Sequence, residues 1–395
     1  MKIFYGKAVY DNKEISAANS VLKKKSLTLI DGPSVKTLEK KISKLFGKKY
    51  GLMVNSGSSA NLLGLASLGL KKGSEIITPT LTFSTTVAPI YQLGLIPHFI
   101  DVEDKTFTAK IDQITKAINK KTKAIMIPNL LGNVPNWQLI FNIARKYHLK
   151  IIEDSADTIG YKINKKNYGR YSDITTNSMY ASHIITGAGF GGIVCFNDKH
   201  LYDKAKLLRG WGRSSAIFNE SEGIKKRFNT KVDGIPYDGK YIFSDIGYNF
   251  LPSEISATFA IEQIKKLKDN IKIRNKNFDY LKNFFGKYDF FKLPEQYPDV
   301  KTPWLAFPLV IKKNKYFTRR DLQIFFEKNN IQTRTIFTGN ILKQPVMKNK
   351  YYKKHPQCDK IANDVMKNGI LLGCHQGMKK SELEYICKTF KKIIG

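Results

Sequence analysis

The chain has 395 residues, 42% of them hydrophobic and 25% charged, which suits a soluble globular enzyme with a sizeable core. Its net charge of +33 at pH 7 would suit a nucleic-acid binder. However, the lysines are scattered over every predicted helix, and no nucleic-acid motif accompanies them. We therefore expect no nucleic-acid partner, while a positive field still favours capture of an anionic small molecule.

The cysteines and the hydropathy pattern indicate the compartment. The four cysteines form no Cys-x-x-Cys pair, which argues against a zinc site and against a disulfide framework. The first twenty residues contain no apolar run typical of a signal peptide, and no stretch approaches the length of a membrane span. We expect a cytoplasmic protein with no metal and no membrane partner.

Short apolar strands alternate with helical patterns in the first half of the chain. Strands are predicted at 50–54, 75–78, 97–102, 124–128, 150–154, 174–180 and 193–196. Helices are predicted at 34–46, 59–69, 84–93, 111–118, 137–148 and 198–209. Strands separated by helices of this length are typical of crossover units, so we predict an α/β fold with a mostly parallel sheet.

The second half of the chain reads differently. The polar, aromatic-bearing stretch 210–250 has little periodicity, and we expect it to wrap around the functional site. A long helix is predicted at 252–285, followed by a strand at 305–311 and helices near 318–329, 358–368 and 381–394. We expect a large α/β domain over 1–250 and a smaller C-terminal α+β domain over 251–395.

Polar residues follow three of the predicted strands, and the first two groups are the stretch 55–61 and the pair Asp154 and Asp157. The stretch 55–61 lies between a strand and a helix, where it forms either an anion-binding cradle or a plain N-cap. Asp154 and Asp157 lie just past a buried strand, where ligands bind in parallel α/β sheets. A capping or surface carboxylate is the alternative interpretation of Asp154.

His183 follows the strand at 174–180 and precedes a glycine-rich turn. Many loop histidines are simply hydrogen-bonded polar residues. A metal site is disfavoured because neither His98 nor His148 lies at ligand spacing from His183. A general base is the third interpretation, since imidazole has a suitable pKa range.

The pattern Tyr180-Ala181-Ser182-His183-Ile184-Ile185-Thr186 resembles the DegT/DnrJ/EryC1/StrS sugar aminotransferase family, as do segments 130–133, 209–213 and 334–340. The resemblance implies a fold type I, aspartate aminotransferase-like enzyme that binds pyridoxal phosphate (PLP) or pyridoxamine phosphate (PMP). In the family a lysine usually occupies the position of His183 and holds the cofactor as a Schiff base. No lysine lies between Lys166 and Lys199 here. The chain thus resembles the histidine subgroup, the nucleotide-linked 4-keto-6-deoxyhexose 3-dehydratases.

The resemblance also implies roles for individual residues. Asp154 is expected to bind the pyridinium nitrogen, and Asp157 to lie near the ring oxygen. Phe83 is expected to stack on the ring, although a lone Phe near a strand end is more often core packing. The residues expected to bind the cofactor phosphate are Gly57, Ser58, Ser59, Ser178 and, from the neighbouring subunit, Asn249. That last contact implies a homodimer with shared active sites.

The implied reaction removes the C3 hydroxyl of a nucleotide-diphosphate sugar, with His183 as acid and base and L-glutamate as the amino donor. Arg213 and Arg334 are candidates for the substrate diphosphate, with surface arginines as the alternative. The cysteines lack the grouping of the iron–sulfur subtype, so no cluster is expected and GDP-linked substrates are favoured over CDP-linked ones. Deoxysugar synthesis for O-antigen lipopolysaccharide would follow. The rival functions are a nucleotide-sugar aminotransferase with its lysine replaced, and a non-catalytic regulator that binds the cofactor.

Overall fold

A computed structural model of the chain describes residues 2–24, 29–163, 169–217, 223–298 and 300–395. The strands are β1 (Tyr50–Val54), β2 (Glu75–Pro79), β3 (Ile96–Ile100), β4 (Thr122–Pro128), β5 (Lys150–Asp154), β6 (Lys162–Ile163), β7 (Ile174–Ser178), β8 (Gly192–Phe196), β9 (Thr230–Val232), β10 (Ile235–Tyr237), β11 (Phe291–Lys292), β12 (Val300–Lys301), β13 (Phe307–Ile311), β14 (Lys353–Lys354) and β15 (Gly369–Leu372). The helices are α1 (Asn12–Lys23), α2 (Pro33–Leu45), α3 (Gly57–Ser67), α4 (Ser84–Gln92), α5 (Ile111–Ala117), α6 (Trp137–Lys146), α7 (Lys199–Arg209), α8 (Ile224–Phe228), α9 (Glu254–Lys265), α10 (Leu267–Phe285), α11 (Arg319–Lys328), α12 (Lys360–Asn368) and α13 (Lys380–Ile394). Among the described residues, no helix is both long and apolar enough to cross a lipid bilayer.

The larger sheet has the strand order β1-β8-β7-β5-β4-β2-β3-β14. Its central strands run parallel, whereas β8 runs antiparallel to both β1 and β7. Alternate residues of β4 enter separate hydrophobic clusters, with Ile125 and Ile127 in one and Ala124 and Met126 in the other. Each cluster covers one face of the sheet, as expected where helices pack on both sides. The predicted mostly parallel α/β fold is confirmed.

A second, antiparallel sheet has the order β11-β13-β15. An aromatic-rich cluster covers it, with Phe285, Phe307 and Phe390 fully buried. The helix predicted at 252–285 is divided into α9 and α10. The domain division at 250 and 251 stays a prediction, and contacts cross it: Ile3 forms a bridge with Ile331, and α1 packs against α9.

The N-terminus of α2 is capped from a distant part of the chain. Pro33 occupies the first helical turn, as the sequence predicts, and the N-cap residue Gly32 has no side chain to offer. Instead, the buried carboxylate of Glu254 accepts hydrogen bonds from the amides of Gly32 (2.9 Å), Ser34 (3.0 Å) and Val35 (2.9 Å). Glu254 therefore joins the first turns of α2 and α9.

Replacing Glu254 by Ala should leave these three amides without an acceptor. Because a lost cap or an unsatisfied buried donor each costs about 1–3 kcal/mol, we expect a loss in the free energy of unfolding of at least that size. Urea unfolding followed by circular dichroism measures it. Glu384→Ala is the control, since Glu384 forms only an exposed pair with Lys380. Equal midpoints for the two variants would contradict the capping role.

Candidate active site

The carboxyl ends of the parallel strands surround a cavity of about 370 Å³. Loops after β1, β2, β4, β5 and β7 all contribute to its wall, in agreement with the general position of ligand sites in such sheets. The structure brings most of the predicted site residues together here. Those that line the cavity are Gly57, Ser58, Phe83, Asp154, Asp157, Ser178 and His183.

The first turn of α3 forms one wall of the cavity. Ser56 caps the helix, and its Oγ accepts a hydrogen bond from the amide of Ser59 (3.1 Å). At Gly57 an added Cβ would lie 2.5 Å from Cβ of Ser178, and at Gly192 it would lie 2.2 Å from the carbonyl oxygen of Ser56. Glycine is therefore required at both positions for the helix N-terminus to reach β7 and β8. Its first amides make a suitable anion site.

The Asp154 carboxylate faces the cavity, and its hydrogen-bond partners in the described part of the chain are neutral. Oδ2 accepts from Asn61 Nδ2 (2.8 Å) and Thr86 Oγ1 (2.7 Å), and Oδ1 accepts from the amide of Ala156 (3.1 Å). Burial raises the pKa of Asp154, and the hydrogen bonds from Thr86 and Asn61 oppose this effect. A ligand cation beside Asp154 would provide the missing positive charge. The alternative of a surface carboxylate is wrong, because Asp154 is buried.

Asp157 lies near Asp154 on the same side of the cavity. Its Oδ2 accepts a hydrogen bond from the amide of Leu131 (2.8 Å). Burial, together with the negative charge of Asp154, raises the pKa of Asp157 to about 8, although the hydrogen bond from the Leu131 amide lowers it. Asp157 is therefore largely protonated at neutral pH and can donate a hydrogen bond into the cavity.

The side chain of His183 lines the cavity. Its ring lies edge-on to Tyr180, with centroids 5.9 Å apart, and its Nδ1 has no partner among the described residues. Burial lowers the pKa of His183 to about 4; the backbone of Ser178 opposes the shift, and the charge of Arg274 adds to it. The imidazole is therefore neutral at pH 7 and can accept a proton. Within the described residues no group of three His, Cys, Asp or Glu side chains could hold a metal ion.

Cationic side chains are missing from the cavity wall in the described part of the chain. The charged types that line it are the carboxylates Asp154 and Asp157, and no lysine or arginine does so. Among the described residues, no lysine is therefore placed to form a Schiff base with a ligand in this cavity. His183 lies in the wall instead.

Phe83 presents its ring to the cavity and is 51% exposed, so the interpretation as a core residue is wrong. Its edge packs on Phe337, with ring centroids 5.8 Å apart. Phe337 has a left-handed backbone (φ 44°), which is a strained conformation for a bulky residue and is typical of functional sites. The two rings and Tyr5 separate this cavity from a neighbouring cavity of about 470 Å³.

Four predicted residues lie outside the main cavity. Ser59 turns its amide and hydroxyl towards Ser56. Arg334 lines the neighbouring cavity, where its guanidinium lies 5.7 Å from the ring of Tyr5. Asn249 is exposed and pairs through its backbone with Gly210.

Arg213 also lies outside the cavity, among three aromatic rings. Its guanidinium is 4.4 Å from the ring of Trp211, 5.3 Å from Tyr241 and 5.7 Å from Phe243. The rings of Tyr241 and Phe243 are themselves exposed. Within one chain, Arg213 therefore does not reach the cavity.

Sequence reasoning missed several residues of the cavity wall. Asn61 and Thr86 orient Asp154, and of these Asn61 lies in the polar stretch that the sequence did single out. Tyr180 stands three residues before His183 in the same quoted pattern. Tyr5 had no local signal, because only the tertiary fold carries the N-terminal segment to the site.

The model of the DegT/DnrJ/EryC1/StrS aminotransferase family matches residues 9–391. The chain belongs to this family. It is 33% identical over 394 residues to the GDP-4-keto-6-deoxy-D-mannose 3-dehydratase of Yersinia pseudotuberculosis, which covers 98% of this chain and 97% of that protein. It is also 33% identical over 369 residues to the lipopolysaccharide biosynthesis protein RfbH of Salmonella typhimurium, which covers 90% of this chain and 84% of that protein.

A solved structure agrees with these relatives. The structure of a GDP-4-keto-6-deoxymannose-3-dehydratase with a trapped PLP-glutamate geminal diamine superposes on this chain with a TM-score of 0.87. The two sequences are 32% identical, and the alignment covers 98% of this chain and 99% of that one. The resemblance inferred from the motif around His183 is confirmed, as is the aminotransferase fold.

The protonation state of His183 is open to measurement without any ligand. Because burial lowers the pKa of His183 from 6.5 to about 4, its ring should stay neutral at and below pH 6.5, where an ordinary histidine is half protonated. NMR of protein labelled at its histidine rings measures this, and the spectrum of His183→Asn identifies the signal. A titration midpoint near 6.5 would contradict the buried environment described here.

Proposed function

We propose that this protein is a PLP- and PMP-dependent 3-dehydratase, which removes the C3 hydroxyl of a nucleotide-linked 4-keto-6-deoxyhexose. GDP-linked substrates are favoured over CDP-linked ones, because the Yersinia relative is named for a GDP-linked sugar. The observation that carries the proposal is that His183 lines a cavity which, among the described residues, no lysine lines. The name of the Salmonella relative supports a place in lipopolysaccharide synthesis.

The cavity fits the cofactor on three points. Asp154 is buried with only neutral partners and would pair with the pyridinium nitrogen. The α3 N-terminus with Gly57 and Ser58, together with Ser178, would hold the phosphate. The exposed ring of Phe83 would stack on the pyridine ring. Ser59 stays a predicted ligand of the phosphate, although its amide donates to Ser56 Oγ.

When bound, PMP supplies an amine that condenses with the C4 carbonyl of the sugar, and a ring that accepts electrons. Asp154 keeps that ring protonated. His183 takes a proton from C4′ and then delivers it to the departing C3 hydroxyl, since one imidazole can serve as base and then acid. Asp157, largely protonated, can donate a hydrogen bond to the ring oxygen.

The atoms balance in this scheme. The C3 hydroxyl of the sugar would leave as water and a hydrogen would replace it, so the sugar loses one oxygen in total. The two electrons for this reduction would come from the amine form of the cofactor, whose nitrogen leaves as ammonia while water supplies the oxygen of the aldehyde. Glutamate then restores the amine and becomes 2-oxoglutarate. The structure with a trapped PLP-glutamate adduct supports glutamate as the amino donor.

Replacing His183 by Asn tests its role as the base. Asn keeps a similar size and polarity but cannot accept the proton, so dehydration should fall by about 10²–10⁴-fold. The measurement is release of the 3-deoxy sugar from GDP-4-keto-6-deoxymannose with PMP present. His200→Asn is the control, because His200 is exposed on α7. Wild-type turnover in the His183 variant would exclude this role.

A homodimer with shared active sites is the second part of the proposal. Both expected ligands are anionic, yet the cavity wall carries the Asp154 carboxylate and, in the described residues, no cationic side chain. A neighbouring copy would supply the missing groups. Asn249 and Arg213 lie on the stretch 210–250, which exposes Phe243 and Ile246, and they suit the phosphate and the diphosphate of the partner's site. Arg334 suits the diphosphate from its own chain.

Hybrid dimers test the sharing. A subunit carrying His183→Asn and one carrying Asn249→Ala are each impaired alone, but their hybrid contains one site with both residues intact. Co-expression with two affinity tags should therefore restore dehydration. The control hybrid combines His183→Asn with Asp154→Asn, which belong to the same chain's cavity, and should stay inactive. No recovery in the first hybrid would contradict a shared site.

Other expectations from the sequence stay predictions. These are the lack of an iron–sulfur cluster, the lack of a nucleic-acid partner and the cytoplasmic location. The four cysteines are free and buried, at 195, 358, 374 and 387.

A further inference from the structure

Arg274 contacts the main chain of the loop that carries His183. It lies on α10, and its side chain is fully buried. Its Nη1 donates to the carbonyl oxygens of Trp304 (3.1 Å) and Leu305 (3.2 Å), and its Nη2 donates to the carbonyl oxygen of His183 (3.5 Å). The planar guanidinium thus joins two separate segments through their backbones, which its fixed fork of donors makes possible.

The connection continues across the cavity. Leu305 lines the cavity wall, and its amide donates to the carbonyl oxygen of Leu131 (2.8 Å). The amide of Leu131 donates in turn to Asp157 Oδ2 (2.8 Å). Hydrogen bonds therefore connect the Asp157 side chain, through the backbones of Leu131 and Leu305, to the Arg274 guanidinium. The guanidinium in turn contacts the backbone of His183. Movement of the guanidinium would alter the relative positions of both polar side chains.

One face of α10 makes a rigid support for this series. Arg274, Asn277 and Phe278 follow the spacing of a single helix face. Asn277 Nδ2 donates to the carbonyl oxygen of His375 (3.0 Å), and the ring of Phe278 stacks on Trp304 with centroids 4.4 Å apart. These contacts thus fix the turn of the helix that follows Arg274.

A buried guanidinium needs a reason, since burying a charge costs more than burying an apolar side chain. Burial lowers the pKa of Arg274 to about 10, so it is still charged at neutral pH. Its positive charge adds to the effect of burial in lowering the pKa of His183. The other titratable groups that line the same cavity are Tyr5, Asp154, Asp157 and Tyr180.

We propose that Arg274 is a positioning residue for the dehydration, which holds the His183 loop in its reactive orientation through the carbonyl oxygen of His183. The charge of the same guanidinium also disfavours a protonated imidazole before proton transfer. The proposal rests on the function proposed above for His183. Before the transfer, a neutral ring accepts the proton from carbon. After it, the neighbouring positive charge makes the imidazolium a readier donor to the departing hydroxyl. A carboxylate in the place of Arg274 would have the opposite effect, because its negative charge would stabilise the imidazolium and make it a weaker proton donor.

Two substitutions separate the charge from the geometry. Arg274→Lys keeps the charge and loses the fork, whereas Arg274→Met keeps an unbranched apolar stem and loses both. The matched control is Lys276→Met, which removes one positive charge from an exposed position of the same helix. Each variant is compared with wild type in kcat, KM and their pH dependence, and in the NMR titration of His183 without substrate. Thermal unfolding and cofactor absorbance report on folding.

For Arg274→Met we expect kcat to fall by about 10–100-fold with little change in KM, as a small misplacement of a catalytic group causes. The acid limb of the pH profile and the His183 titration should both move to higher pH. Arg274→Lys should lower kcat while leaving the acid limb and the titration where they are in wild type. Lys276→Met should match wild type throughout.

Other outcomes would overturn the proposal. Wild-type kcat in Arg274→Lys would remove the positioning role, and this holds even where Arg274→Met fails to fold. An unchanged His183 titration in folded Arg274→Met would remove the effect of charge. Failure of the proposed function is distinguishable, because the unmutated protein would then form no 3-deoxy sugar, or the His183→Asn variant would dehydrate at the wild-type rate. The His183 titration needs no reaction at all, so it tests the effect of Arg274 separately.

Discussion

Asp154, Asp157 and His183 line one cavity that, in the described residues, no lysine or arginine lines. Asp154 is buried with neutral partners, which makes a bound pyridinium cation the natural complement. The same lack of cations favours a second copy of the chain as the source of groups for the phosphates. The histidine at 183 then decides the chemistry, because it can carry a proton but cannot hold the cofactor covalently as a lysine would.

The position of the cavity follows from the sheet. Parallel strands end at one edge, and the loops that follow them meet there. Close contacts at Gly57 and Gly192 let the α3 N-terminus approach that edge. The segment at 334–340 comes from the C-terminal part of the chain and places Phe337 against Phe83. The site is therefore built where both parts of the chain meet.

Much of the fold could be predicted because strong local patterns agree with it. The bounds of β1 and β5 match the prediction, and Asp198 caps α7 as expected. The helix α1 was missed although Asp11 and Glu14 form a capping box at its start, a signal that was available. The break between α9 and α10 had no helix-breaking Pro or Gly to mark it.

Site residues that lie in a sequence motif could be predicted, whereas those that distant segments bring to the site could not. Asp154, Ser178 and His183 lie in motifs, and all three line the cavity. Tyr5 and Arg274 reach the site only through tertiary packing, and no local pattern marks them. Ser59 stays a predicted ligand of the cofactor phosphate; its amide donates to Ser56 Oγ, and it does not line the cavity.

The identity of the reaction product distinguishes a dehydratase from an aminotransferase. Purified protein with PLP and L-glutamate would be incubated with GDP-4-keto-6-deoxymannose, and the sugar product and free ammonia would be measured by mass spectrometry and an ammonia assay. For a dehydratase we expect a sugar that has lost one oxygen, together with one ammonia for each sugar converted. An aminated sugar without free ammonia would contradict this expectation and would make the protein an aminotransferase in spite of His183.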